Sequence, residues 1–200
     1  MQVIKPYHAI EIPIDEESTY AQLERAGRTA YKSEDRITTA SGRKFLASII
    51  QRGHESVLEH FNISIRFVCD RGVTHEIVRH RLCAYTQEST RYCNYARKGM
   101  VFILPPWGFS DSDLDFLESV EKKYNRKIVE GQSPQQARAF LPNCLKTEIV
   151  CTANIREWRH IMRLRTASSA HPQMQELMKP LLRELRTRLP VLFNDVGTLE

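Results

Sequence analysis

The sequence predicts an α+β fold in which a mixed or antiparallel sheet is flanked by helices. Residues 61–69 alternate strictly: Phe61, Ile63, Ile65, Phe67 and Cys69 face one way and Asn62, Ser64, Arg66 and Val68 the other. Period two over nine residues marks a half-buried strand of an antiparallel sheet. Two long helical stripes stand apart from it: Leu114, Leu117, Val120, Tyr124 and Ile128, then Leu177, Met178, Leu181, Leu182, Leu185 and Leu189. Helices outnumber strands and do not alternate with them regularly, which argues against a doubly wound sheet.

Taken in order, residues 2–5 and 9–14 suit short strands or extended chain, and Ser18 or Thr19 can cap a helix reaching Tyr31. Ser41 suits an N-cap and Gly53 a stop, with Phe45, Leu46, Ile49 and Ile50 on one face between them. Asp70-Arg71-Gly72 ends the alternating strand, and a short helix is expected over 73–81. Residues 83–100 read as polar and irregular, and 101–104 as a strand stopped by Pro105-Pro106. Ser110 or Asp111 caps the first long helix and Gly131 ends it; Pro134, after Ser133, suits the first position of another. Residues 147–152 fit a strand or a helix equally well. A basic helix is expected over 155–164, and His171-Pro172 opens the last one.

Two hundred residues make one domain, 1–200, the expectation. A content of 42% hydrophobic and 26% charged residues excludes a disordered chain. The longest apolar runs, such as Val101 to Leu104, fall far short of the ~20 residues a membrane span needs. Residues 1–20 hold no apolar region after a basic start, so no secretory signal is expected, and with apolar runs this short no membrane partner is expected either. The net charge of +5 is built mainly from arginine, 20 against 9 lysines. Arginine offers a permanently charged fork for phosphates and carboxylates, so either an anionic ligand or a solvated basic surface follows. Five widely spaced cysteines without a CxxC pair point to free thiols in a reducing cytoplasm.

The stretch Arg79-His80-Arg81 to Arg91 is the richest in chemistry. On a helix, successive side chains diverge by ~100°, so Arg79 and Arg81 would serve different anionic groups. Thr86-Gln87-Glu88-Ser89-Thr90-Arg91 supplies short donors able to wrap a phosphate or a base. A second basic stretch aligns Arg156, His160 and Arg163 on one helical face, suited to nucleic acid, to a nucleotide pocket or to plain exposure; Arg138 is a further anion contact. His75 and His80 stand one residue too far apart for a zinc-binding HExxH, and no metal site is expected. Cys83 and Cys93 flank the basic loop, but neither has a dedicated base in the sequence. The GxSxG, GxxxxGK[ST] and GxGxxG signatures are absent.

Four blocks in order resemble the flavin-dependent thymidylate synthase family. They are Gly53-His54-Glu55-Ser56-Val57-Leu58-Glu59-His60, the RHR motif with Ser89-Thr90-Arg91, Arg138 with Leu141-Pro142, and Asn154-Ile155-Arg156 with His160 and Leu164-Arg165. The chain departs from the family pattern at Glu76, where Gln is common, at Ala84, where Ser is frequent, and at Thr86, where Asn or Ser is frequent.

The resemblance implies transfer of a methylene group from 5,10-methylenetetrahydrofolate to C5 of dUMP and its reduction by FAD, itself reduced by NADPH, giving dTMP and tetrahydrofolate. It assigns FAD contacts to Ser56, Arg79, His80, Arg81, Gln87, Asn154, Arg156 and His160. It assigns dUMP contacts to Glu76, Arg79, Gln87, Glu88, Ser89, Thr90, Arg91, Arg138 and Arg165. It further implies a homotetramer with shared active sites and no nucleic-acid partner. Within that implied site, a fixed guanidinium at Arg165 can stabilise negative charge developing on the uracil ring, so no cysteine nucleophile is required. The competing readings are a nucleic-acid-binding module built on the basic helix and a methyltransferase using Cys83 or Cys93.

Overall fold

The structure, a computed structural model, describes residues 1–199. Its strands are β1 (Gln2–Ile4), β2 (Tyr7–Ile10), β3 (Asn62–Asp70), β4 (Ala84–Gln87), β5 (Val101–Ile103) and β6 (Lys146–Asn154). Its helices are α1 (Glu16–Thr29), α2 (Ser41–Gln51), α3 (Arg71–Ile77), α4 (Asp111–Val129), α5 (Pro134–Ala137), α6 (Ile155–Arg165), α7 (Pro172–Arg188) and α8 (Pro190–Phe193). β1 pairs in parallel with β5, and an antiparallel bridge joins Phe102 to Leu145. The other four strands form a sheet in the order β2-β3-β6-β4. The α+β expectation therefore holds, with a mixed set of pairings. Among the described residues no helix is long and apolar enough to cross a membrane.

Several local expectations need correction. The second strand is Tyr7–Ile10 rather than 9–14, and Pro13, which has no N–H to give a sheet, lies beyond its end. α1 is capped by Asp15, whose Oδ1 accepts from the Ser18 N–H at 2.8 Å, so Ser18 and Thr19 lie within its first turn. α2 begins at Ser41 itself, and the Ser41 hydroxyl accepts from the Thr38 N–H at 2.8 Å. α3 starts early because Asp70 Oδ1 accepts from the Val73 N–H at 2.7 Å, and it ends at Ile77. Arg79, His80 and Arg81 thus lie beyond the helix, and their helical angular spread does not apply. The stretch 83–100 is not wholly irregular, since it contains β4. β6 settles the ambiguity at 147–152 in favour of a strand.

The chain divides into two compact units. The first comprises Met1–His8, Arg66–Arg79 and Tyr85–Val150. Its core is Met100, Phe102, Leu117, Val120, Tyr124, Ala137 and Leu145, so the stripe of α4 closes over β5. A capping box at Ser110 and Asp113 starts α4, and Gly131 with φ of 86° lets the chain turn after it.

The second unit comprises Ala9–Ile65, His80–Ala84 and Cys151 onward. Leu23, Leu46, Leu58, Trp158, Met162, Leu181 and Phe193 are all fully buried there. Trp158 is anchored by its indole N–H, which donates to the Ile63 carbonyl at 3.0 Å. The short 3-10 turn Glu55–His60 packs against α6, bringing the Gly53–His60 block onto the basic helix.

Candidate functional site

Each unit gathers part of the residue set expected from the sequence. The first holds Glu76, Arg79, Gln87, Glu88, Ser89, Thr90, Arg91 and Arg138. The second holds Ser56, His80, Arg81, Asn154, Arg156, His160 and Arg165. The dUMP set thus sits in the first unit except for Arg165, and the FAD set sits in the second except for Arg79 and Gln87.

In the first unit a tight turn follows β4. The N–H groups of Tyr92 and Cys93 both donate to the Ser89 carbonyl, at 3.1 and 3.0 Å, and the Arg91 N–H donates to Ser89 Oγ at 3.3 Å. The turn buries Thr90, whose Oγ1 accepts from Arg138 Nη1 at 3.2 Å. The Arg91 guanidinium lies over the exposed ring of Tyr92, 5.5 Å from its centroid. Exposed Arg91 and Arg138, with the hydroxyls of Ser89 and Thr90, form a donor-rich cluster whose chemistry matches a phosphate.

Glu88 and Gln87 point into different company. The Gln87 amide donates to the buried hydroxyls of Thr74 and Thr147, at 3.0 and 3.3 Å. Glu88 accepts from the Tyr95 hydroxyl at 2.8 Å and pairs with Lys146 at 3.1 Å. Lys146 also binds Glu148 at 2.5 Å, and Glu148 binds Arg66 at 3.2 Å. Gln87, Glu88, Tyr95, Lys146, Glu148 and Arg66 line a cavity of about 680 Å3 together with Thr86, Cys93, Asn94 and Lys98. Burial, then the bond to Glu88, raises the Tyr95 phenol above its ordinary range. The Lys146 hydrogen bond holds Glu148 below the usual carboxylate range. Lys146, Tyr95 and Glu148 escape sequence reasoning, because nothing local links them to Glu88.

In the second unit, Asn154 caps α6 by accepting from the Glu157 N–H at 2.9 Å. The helix is basic but closely matched by carboxylates. Arg156 pairs with Glu59 at 2.6 Å and Glu55 at 3.8 Å, and Arg163 pairs with Glu55 at 3.4 Å. Arg159 is fully buried, bound to Asp195 at 2.7 Å and near Glu55 at 3.5 Å. Such pairing lowers the positive potential that a phosphate-tracking helix would need. Ser56, Arg81 and His160 are exposed.

The inner edge of this region is a chain of three side chains. Arg165, the last residue of α6, donates through Nε to Nε2 of His80 at 3.0 Å. His80 Nδ1 lies 3.4 Å from Glu157 Oε1. Burial first, then the charges of Arg165 and His160, push the His80 pKa down to about 4, so the ring is neutral at pH 7. Burial raises the Glu157 pKa, and His160 opposes that shift. Glu157 escaped the sequence reading, although its spacing of three from His160 on one helix face was a usable signal. The ligand atoms of His80, Glu157 and His160 all lie within 4.8 Å of one another, a set that can in principle hold a metal. The Arg165 guanidinium, bonded directly to His80, works against a cation there.

Residues 14–191 match the family described as "Thymidylate synthase complementing protein". The chain is 34% identical over 198 residues to the flavin-dependent thymidylate synthase of Mycobacterium bovis (strain BCG / Pasteur 1173P2), an alignment covering 88% of this chain and 78% of that protein. It is 32% identical to that of Corynebacterium aurimucosum, covering 94% and 86%. Among solved structures it resembles a UMP/dUMP methylase, PolB from Streptomyces cacaoi bound with 5-Br UMP. The TM-score there is 0.78 at 18% identity, over 97% of this chain and 95% of that one, a likeness of fold.

Proposed function

The chain belongs to the thymidylate synthase complementing protein family, and from that premise we propose that it is a flavin-dependent thymidylate synthase. It acts on dUMP as one functional domain over 1–200, in a cytoplasmic homotetramer with shared active sites. The reaction moves a methylene group from 5,10-methylenetetrahydrofolate to C5 of dUMP, with loss of the C5 proton, and reduces it to methyl, releasing dTMP and tetrahydrofolate. NADPH is the source of reducing equivalents.

The observation that carries this reading is the bond from Arg165 Nε to His80. It fixes a guanidinium with a neutral acceptor, so that bond does not cancel the positive charge. C5 of uracil attacks an electrophile only when negative charge can spread over N3 and O2 of the ring. Arg165 stabilises that charge without exchanging a proton, because a guanidinium stays protonated at any working pH. Arg91, Arg138 and the Ser89–Thr90 turn hold the 5′-phosphate, with Glu76, Arg79, Gln87 and Glu88 completing the dUMP set.

The donor set of the second unit fits FAD. Arg81 is an exposed guanidinium suited to a pyrophosphate, Arg156 reaches one by giving up its pairing with Glu59 and Glu55, and His160 and Ser56 are exposed polar groups of the same unit. With His80, Asn154, Arg79 and Gln87 they form the set proposed to hold the cofactor. When bound, FAD supplies the hydride chemistry that no side chain of the protein can provide. The protein's own part is to bind, orient and polarise.

The test is a visible spectrum of the purified protein before and after anaerobic addition of NADPH, followed by dUMP and methylenetetrahydrofolate. A flavin spectrum that bleaches with NADPH and returns with dTMP formation supports the reading. Colourless protein that binds no added FAD and forms no dTMP overturns it.

A further inference from the structure

We propose that Glu157 is a positioning residue that acts through His80 to aim Arg165, so that Glu157, His80 and Arg165 work as one relay ending at the reacting pyrimidine. The proposal rests on the function proposed above for Arg165. It goes further in giving a role to a carboxylate outside the expected site set.

The geometry leaves little freedom. His80 is 6% exposed and Glu157 7%, so both side chains sit where water cannot substitute for a lost partner. A neutral imidazole has one N–H and one acceptor nitrogen, and the bond made at one fixes the role of the other. Arg165 Nε can only donate, and it faces His80 Nε2 at 3.0 Å. Nε2 must therefore be the acceptor, which places the ring proton on Nδ1. Nδ1 lies 3.4 Å from Glu157 Oε1, the acceptor that holds this tautomer and ring orientation. Glu157 is itself fixed at the start of α6, where its N–H donates to Asn154 Oδ1 at 2.9 Å, and Arg165 ends the same helix. Both ends of the relay thus stand on one rigid element, and His80 bridges them. His160, with its ring centroid 5.9 Å from that of His80 at 75°, braces the ring edge-on.

Remove the Glu157 acceptor and the ring can exchange tautomers or turn. Its Nε2 then carries a proton that meets the Arg165 donor head-on, and the guanidinium must move. A misplaced charge-stabilising group lowers turnover more than it lowers substrate binding, because the charge it answers develops only in the transition state.

The experiment compares wild type with Glu157→Gln and Glu157→Leu, using ring 15N–1H NMR of His80 and steady-state kinetics. Gln keeps an oxygen acceptor; Leu does not. Expected are an Nδ1–H tautomer in wild type and Glu157→Gln, and its loss in Glu157→Leu. Kinetically, Glu157→Leu should lose at least tenfold in kcat with the KM for dUMP changed less than threefold, while Glu157→Gln stays within threefold of wild type in both. An Nε2–H tautomer in wild type, an unchanged His80 signal in Glu157→Leu, or equal loss of kcat in both variants overturns the relay. If Glu157→Leu does not fold, the wild-type and Glu157→Gln spectra decide. Failure of wild type to form dTMP overturns the proposed function instead, and the ring spectra still judge the relay.

Discussion

Arg165 donates a hydrogen bond to His80, Nε to Nε2, 3.0 Å long. The partner is neutral, because burial first, then the neighbouring Arg165 and His160, hold the histidine pKa at about 4. A bond to a neutral ring does not offset the guanidinium charge, whereas a bond to a carboxylate offsets much of it. Arg156, Arg159 and Arg163 of the same helix pair with Glu59, Asp195 and Glu55.

Arg165→Ala should abolish most dUMP methylation while leaving flavin content unchanged. Removal of a donor aimed at developing charge costs about 100- to 1,000-fold in kcat. Single-turnover dTMP formation, together with the flavin absorbance of the same preparation, checks this. Turnover within threefold of wild type would show that the activating charge lies elsewhere.

His80 should give the protein a specific acid sensitivity. Its folded pKa of about 4 lies below the ordinary value of 6.5, so between these limits the unfolded chain binds more protons than the folded one. The histidine's contribution is complete above pH 6.5 and is lost as pH falls toward 4, on the order of 3 kcal/mol in all. Glu157, whose pKa is raised, works in the opposite sense, so the informative quantity is a difference. Urea unfolding of wild type and His80→Leu at pH 7 and pH 4.5 should show wild type losing more stability than the variant. Parallel curves would refute the low pKa.

Much of this was legible in the sequence, for physical reasons that also explain what was not. β3 announced itself because Ile63, Ile65 and Phe67 are large and apolar and all face inward. β6 alternates in the same way, but of its inward residues Thr147, Ile149, Cys151 and Ala153 only Ile149 is large and apolar, too little to register as a hydrophobic face. β4 ends the order of its sheet, where polar residues are expected and alternation fades. The site residues near one another in sequence, Ser89 to Arg91, were readable as a cluster. Glu157 and His80 are brought together only by the packing of α6, and no local pattern announces that.

Arg81→Ala should reduce the flavin retained through purification severalfold without changing thermal stability by more than about 0.5 kcal/mol, as expected for an exposed side chain. Flavin-to-protein absorbance ratios and thermal unfolding measure both. Full flavin retention would remove Arg81 from the cofactor set.

Cys83→Ser and Cys93→Ser should each retain turnover. Cys93 lines the cavity with Glu88 and Tyr95, but Glu88 is engaged there by Lys146 at 3.1 Å and by the Tyr95 hydroxyl at 2.8 Å. Loss of dTMP formation in either variant, with the fold intact by circular dichroism, would favour a covalent mechanism through sulfur.

Asp195→Ala should destabilise the protein by about 2 kcal/mol, because it takes away the bidentate partner of a buried cation and leaves Glu55, at 3.5 Å, as its carboxylate. Arg159 is 1% exposed, and its guanidinium is held by both oxygens of Asp195, at 2.8 and 2.7 Å, and by the Leu192 carbonyl. Removing one partner of a buried pair costs more than replacing both, since the remaining charge is left in a poorly solvated place. The Asp195 side chain is half exposed, so water enters and keeps the cost below the 3–5 kcal/mol of a fully enclosed pair. The double variant Arg159→Met with Asp195→Ala should therefore be no less stable than Asp195→Ala alone. Denaturant midpoints of the two single variants and the double variant test this, and additive losses would show that the pair is not coupled.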